Sequence, residues 1–225
     1  MSFSPASGTS VSFEQILSWF GTFTPQLKFK LMALRRESST EGFENVMRES
    51  MFVFRSVLLD LSRQPKGAGR AKLAHAYLDG EYSARPVKNA SCASGCSACC
   101  RSFPKQISED DADLLAAAVN EGRVEIDRAE LERQAGAAGG AAPCLFLSAD
   151  NKCRVYDIRP VVCRKYHVTS PRENCETDGA QVNPQIDLMP ELIASASLSL
   201  PDNGIGFMAA MLNDRVKSAE TVDAT

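Results

Sequence analysis

The stretch Cys92-Ala-Ser-Gly-Cys96-Ser-Ala-Cys99-Cys100 packs four of the chain's eight cysteines into nine residues. Cysteine used only for packing is a small, sparsely used hydrophobe, so this density calls for a chemical role. At 225 residues the chain can bury a core without covalent or metal staples. Met1 to Ser12 lacks the charged and apolar stretches of a secretory signal, so the expected location is cytoplasmic. In that reducing compartment, clustered thiols serve as metal ligands or redox centres more often than as structural disulfides. No membrane span is expected, because Phe13 to Leu34 is interrupted by Glu14, Gln15, Pro25, Gln26, Lys28 and Lys30. A formal net charge of -3 offers no whole-protein case for nucleic acid, whose binders carry a basic face.

Hydrophobic periodicity predicts a mainly α fold, divided into a helical N-terminal region (1-89), a cysteine-rich metal-binding region with short extended arms and helices (90-180), and a C-terminal helical segment and tail (181-225). Phe13, Ile16, Leu17 and Phe20 share one helical stripe, and Leu27, Leu31 and Leu34 another. Phe43, Val46, Met47, Met51, Phe54, Leu58 and Leu61 mark a long helix that ends near Gln64-Pro65. Leu73 and Tyr77 mark a further helix over Arg70 to Leu78. His75, with no partner ligand one turn away, reads as an ordinary surface or packing residue. Arg55, Arg63, Lys66, Arg70 and Lys72 read as a solvated face, and Arg85 to Ser91 as an extended connector.

Ser108, followed by Glu109, Asp110 and Asp111, is a helix cap with carboxylates in the first turn, acids that serve the helix dipole on capping turns or exposed faces. Gly122 closes that helix, and Asp127 with Glu130 caps the next. Cys144 to Leu147 and Cys153 to Tyr156 form two extended arms around a polar turn, each arm opening on a cysteine. Asp157 caps a helix with Pro160 in its first turn, which places His167 on the same face as Cys163.

All eight cysteines, Cys92, Cys96, Cys99, Cys100, Cys144, Cys153, Cys163 and Cys175, are candidate metal ligands. Thiolates hold zinc tetrahedrally or an iron-sulfur cluster in sets of four. Cys96-x2-Cys99 has the spacing with which a backbone turn wraps one metal, whereas adjacent Cys99 and Cys100 point apart and do not suit one mononuclear ion. Two four-thiolate sites, or one cluster plus four other thiols, both account for the number. Four thiolates around a divalent metal leave about two negative charges, which call for nearby cations or amides. Arg101, Lys152, Arg154, Arg159, Arg164 and Lys165 are interleaved to supply them.

The ordered set Cys92-x3-Cys96-x2-Cys99-Cys100, Cys144-x-Phe146-Leu147, Cys153-x-Val155-Tyr156, Arg159-Pro160-x-x-Cys163-Arg164 and Cys175 resembles the YkgJ-type cysteine-cluster family. That family is described as chelating zinc or iron, and the resemblance covers residues 90 to 176. It implies a metal ion or an iron-sulfur cluster as the cofactor. The flagellin lysine methylases carry a similar cluster, which implies an alternative, a cluster-dependent methyl- or electron-transfer enzyme, although the chain has no G-x-G-x-x-G loop. A thiol redox switch at Cys99 and Cys100 is a further alternative. The N-terminal helices are then left to dock a protein partner or to cover the site.

Overall fold

The structure is a computed structural model that describes residues 25–92, 96–102, 105–137, 142–177 and 179–216; the stripe at Phe13 to Phe20 lies outside them. The fold is mainly α with short strands. Helix α1 (Pro25–Glu37) carries Leu31 and Leu34, and α2 (Thr40–Ser62) begins where the Ser39 hydroxyl accepts the Gly42 N–H at 3.1 Å. Burial of Phe43, Met47 and Leu61 follows the predicted stripe, and Val57, outside that stripe, is buried with them. After Gln64-Pro65 the chain turns through Gly67, whose φ of 117° suits glycine, into α3 (Ala68–Ala84).

Beyond the connector lie the short helix α4 (Ala98–Ser102), strand β1 (Gln106–Ser108), α5 (Glu109–Asn120) and α6 (Arg128–Gly136). Ser108 accepts the Asp111 N–H at 3.2 Å, Asp127 accepts the Glu130 N–H at 3.1 Å, and Gly122 takes a φ of 70° past the end of α5. The two predicted arms are joined by an antiparallel bridge between Leu147 and Cys153. They lead through a 3₁₀ turn (Tyr156–Ile158) to α7 (Val161–Lys165), β2 (His167–Val168), a second 3₁₀ turn (Arg172–Cys175) and β3 (Pro184–Gln185), which pairs antiparallel with β2. The chain closes with α8 (Leu188–Leu198), β4 (Ile205–Phe207) and α9 (Met208–Asn213); β4 pairs antiparallel with β1, Ile107 opposite Gly206.

Helix α8 is the hub. It is buried continuously from Pro190 to Leu198 and packs against α1, α2, α3 and α7. Its run Ala194-Ser-Ala-Ser197 presents small side chains, so neighbouring helices approach closely. One core cluster unites Val57, Leu61, Ala74 and Leu78 with Val161, Ile193, Ala196 and Leu200. A second gathers Ile107, Leu115, Leu131, Phe146, Val155 and Leu212, with Cys144 and Cys153 packed at its edge. An open groove of about 370 Å³, lined by Phe52, Val53, Ser56, Ala76, Gly80 and Ile193, lies on α2 and α3 away from the thiols.

The acidic start of α5 departs from the sequence expectation. Glu109 stays near the surface, but Asp110 and Asp111 are each only 1% exposed. Arg70, expected on a solvated face, is 2% exposed, and its Nε donates to Asp110 at 2.6 Å while Nη1 reaches Asp202 at 3.0 Å. Asp110 also accepts the Gly67 N–H at 2.7 Å. A helix dipole alone does not bury carboxylates; these are buried because α3 supplies paired donors.

Truncating one partner strands the other charge in the interior. Arg70→Leu is expected to lower the unfolding free energy by about 3–5 kcal/mol, and Arg70→Leu with Asp110→Leu by less than the single change, both read from urea unfolding.

Candidate metal centre

Cysteines Cys99 and Cys100 both stand on α4, and the chain segments that carry Cys144 and Cys175 pack on that helix. On one side, the Cys144 N–H donates to the Cys100 carbonyl at 2.7 Å, which seats the first arm directly on α4. The Leu147–Cys153 bridge, with Arg154 N–H donating to Phe146 O at 2.9 Å, brings the second arm alongside. The Phe146 N–H is directed at the Cys144 sulfur and the Val155 N–H at that of Cys153. Each sulfur thus meets the amide two residues on, an arrangement that stabilises a thiolate. Cys163 follows on α7, and its charge interacts with Cys144, Cys99 and Cys153.

On the other side, the 3₁₀ turn ending at Cys175 packs on α4, and Arg101 forms an ion pair with Glu176 across that contact. The Ser91 N–H donates to Val168 O at 2.8 Å, and the Val168 N–H is directed at the Cys92 sulfur. Cys175 feels Cys96 and Cys92, and Cys92 feels Cys96 and Cys99. All eight thiols are free. Among the described residues, no three Cys, His, Asp or Glu side chains are gathered tightly enough to hold one ion. The donor chemistry and the amide-lined sulfurs nevertheless fit a thiophilic metal.

Desolvation raises the thiol pKa of Cys92, Cys144, Cys153, Cys163 and Cys175 above the ordinary value, with neighbouring thiolates adding to the rise, although the first three and Cys175 are only half-buried and Cys163 is exposed at the surface. The pair on α4 is split. Cys99 donates its S–H to Cys100, which raises Cys99 and lowers Cys100.

The interleaved cations do less here than their spacing suggests. Arg101 is tied to Glu176 and Ser97, and Lys152 forms an exposed pair with Asp150 at 2.7 Å. Arg164 is buried against Asp79 at 2.6 Å, and Lys165 against Glu191 at 2.7 Å. Their work is to fix α7, and with it Cys163. Arg154 binds the Leu145 carbonyl at 2.7 Å and so braces the first arm. Arg159 lies 3.9 Å from the Tyr156 ring centroid, and its charge reaches Cys153.

Two contributors were missed from sequence. Lys105, half-buried and donating to Ala142 O at 3.0 Å, is the cation that meets Cys99, Cys100, Cys144 and Cys163. Burial holds its own pKa below the ordinary lysine value while the thiolates oppose that shift. Tyr166 lies beside the other group, where burial and the charges of Cys175, Cys99 and Cys92 raise its phenol. Both flank cysteines in sequence, but neither spacing nor residue type distinguishes them from surface residues.

The expectation for the start of α7 and for His167 is corrected. Pro160 keeps Arg159 extended, so α7 begins at Val161 with Pro160 as its cap, and Asp157 belongs to the preceding 3₁₀ turn. The helix ends at Lys165, so His167 lies on β2 rather than on the Cys163 face; its ring meets Tyr82 edge-on, with centroids 5.2 Å apart. His75 is buried, with Nε2 2.8 Å from Asp111, and so is a packing residue rather than a surface one.

Residues 91–185 match the CxxCxxCC family profile, described as "Putative zinc- or iron-chelating domain", which is the family the cysteine spacing resembles. The matched segment contains all eight cysteines and leaves α1, α2, α3, α8 and α9 outside. No curated protein matches the chain, nor does any solved structure. Among the described residues, no helix is long and apolar enough to cross a membrane.

Lys105 stabilises the thiolate form of its neighbours, so its removal raises the pH at which they ionise. In the metal-free chain, Lys105→Gln is expected to slow iodoacetamide alkylation of Cys144 at neutral pH while leaving Cys175 unchanged, as read by peptide mass spectrometry.

Proposed function

We propose that the chain is a metal-binding protein whose eight cysteine thiolates hold zinc, or iron as an iron-sulfur cluster, within residues 91–185. The observation that supports this most directly is the set of eight free thiols within the matched segment, three of them with a backbone N–H directed at the sulfur. Thiols with raised pKa values remain largely protonated unless a cation compensates for the lost proton. A thiophilic metal is the cation that suits several thiolates at once. Lys105 offsets part of the remaining negative charge, and the amides two residues beyond Cys144 and Cys153 offset more.

The residues of this chain act here as ligands and as ligand supports. Asp111, Arg164 and Lys165 hold α7 in place, Arg154 braces the first arm, and the Arg101–Glu176 pair keeps the Cys175 turn on α4.

Protein purified without oxygen is expected to contain at least one equivalent of zinc or iron per chain; a visible sulfur-to-iron absorption band identifies a cluster, and its absence beside stoichiometric zinc identifies zinc. Only trace metal in such protein would sink the reading. Metal binding displaces thiol protons, so the apparent affinity falls as pH falls, and a competition titration with a chromogenic chelator is expected to show weaker binding at pH 6 than at pH 8.

A further inference from the structure

We infer that the open groove between α2 and α3 is the seat of this chain's own N-terminal stripe, Phe13, Ile16, Leu17 and Phe20, which lies in it as an amphipathic helix. The inference is independent of the metal-binding reading, because no cysteine lines the groove.

The groove offers an apolar face with nothing on it. Val53 and Val57 of α2, Ala76 and Tyr77 of α3, and Ile193 of α8 line it. Phe52 on its rim is 73% exposed, and Leu59, seven positions further along the same face of α2, is 43% exposed. Large apolar side chains left together at a surface mark a place where something docks. Gly80 belongs to the opposite wall, and no atom lies within 4 Å of the position its Cβ would take. A glycine inside a helix weakens that helix, and this one leaves the slot open to side chains from outside.

The path of the chain supplies the occupant. Helices α1 and α2 are joined through Ser38 and Ser39 alone, which makes them an antiparallel hairpin. Along it the Arg35 guanidinium lies 5.5 Å from the Phe43 ring centroid, and Leu31 shares one core cluster with Phe43 and Met47. Both helices rise by about 1.5 Å per residue, so Pro25 at the start of α1 comes level with Phe52 and Val53. The peptide units between Phe20 and Pro25 extend to about 18 Å, whereas a helix with its side chains is about 10–12 Å wide. The segment that precedes α1 therefore reaches across α2 into the groove. Its pattern suits the place, since at helical spacing Phe13, Ile16, Leu17 and Phe20 form one face and Glu14, Gln15 and Ser18 the other.

Trp19 is the single tryptophan of the chain and borders the apolar face of the stripe, so its fluorescence reports docking. In the full chain its emission is expected to be blue-shifted and poorly quenched by acrylamide. Gly80→Arg fills the slot from a position with free space around it, and is expected to shift the emission to the red and restore quenching while thermal unfolding stays cooperative. Because that variant can fail to fold, p-benzoylphenylalanine is also incorporated in place of Phe52 in the otherwise unchanged chain, which is then irradiated. Cross-links to residues 13–20 of the same chain, mapped by mass on the monomer band, support the inference. Cross-links to a second copy, cross-links confined to other residues, no cross-link at all, or a folded Gly80→Arg variant with unchanged Trp19 emission overturns it.

Discussion

The carboxylate of Asp111 is the point on which the two halves of the molecule depend. Buried at the start of α5, it faces His75 on α3, accepts the Ser108 hydroxyl at 3.1 Å, and accepts the Val161 N–H at the head of α7 at 3.1 Å. Three segments distant in sequence thus meet at one side chain, and the last of them carries Cys163. Its neighbour Asp110 does similar work with Arg70 and Gly67, while Asn203 accepts the Asp110 N–H at 3.0 Å and donates to Ser197 O at 2.9 Å. Removed from water, such groups hold their positions because every alternative leaves a charge or an amide unsatisfied. The helical half of the chain is therefore part of what places the thiols.

The site itself is built from short pieces. Helices α4 and α7 have five residues each, and the arms share one bridge. Segments this short do not hold their own conformation. Ion pairs from outside hold them: Arg164 to Asp79, Lys165 to Glu191, Arg101 to Glu176. Cations interleaved with the cysteines thus act largely on position, and the charge that faces the sulfurs comes from Lys105 and from backbone amides.

What the sequence makes legible follows the range over which each signal acts. The stripe on α2, the Ser108 and Asp127 caps, Gly122, and the two arms around Ser148 to Lys152 depend on residues within one or two turns, and all are found. Burial of Arg70, Asp110 and Asp111 depends on partners some 40 positions away, so an acidic first turn looks the same whether it faces solvent or α3. The end of α7 at Lys165 was obscured because apolar and basic residues continue past it, which misplaced His167. The cysteines were evident as a set, but their neighbours were not, since the contact of Lys105 with Cys144 depends on how β1 and the first arm are laid against α4.

The wide spacing of the cysteines along the chain also governs the order of assembly. Between Cys100 and Cys144 lie β1, α5 and α6, and between Cys163 and Cys175 lies the strand that pairs with β3. Closing such loops is entropically costly until the intervening segments are compact. Segments from both ends of the matched region are therefore brought together only after α5 has docked on α3 and β1 has found β4. Before that moment the nine-residue stretch from Cys92 to Cys100 is the one place where several thiols are close by chain connectivity alone. The other four thiols are joined to it by the fold rather than by the chain.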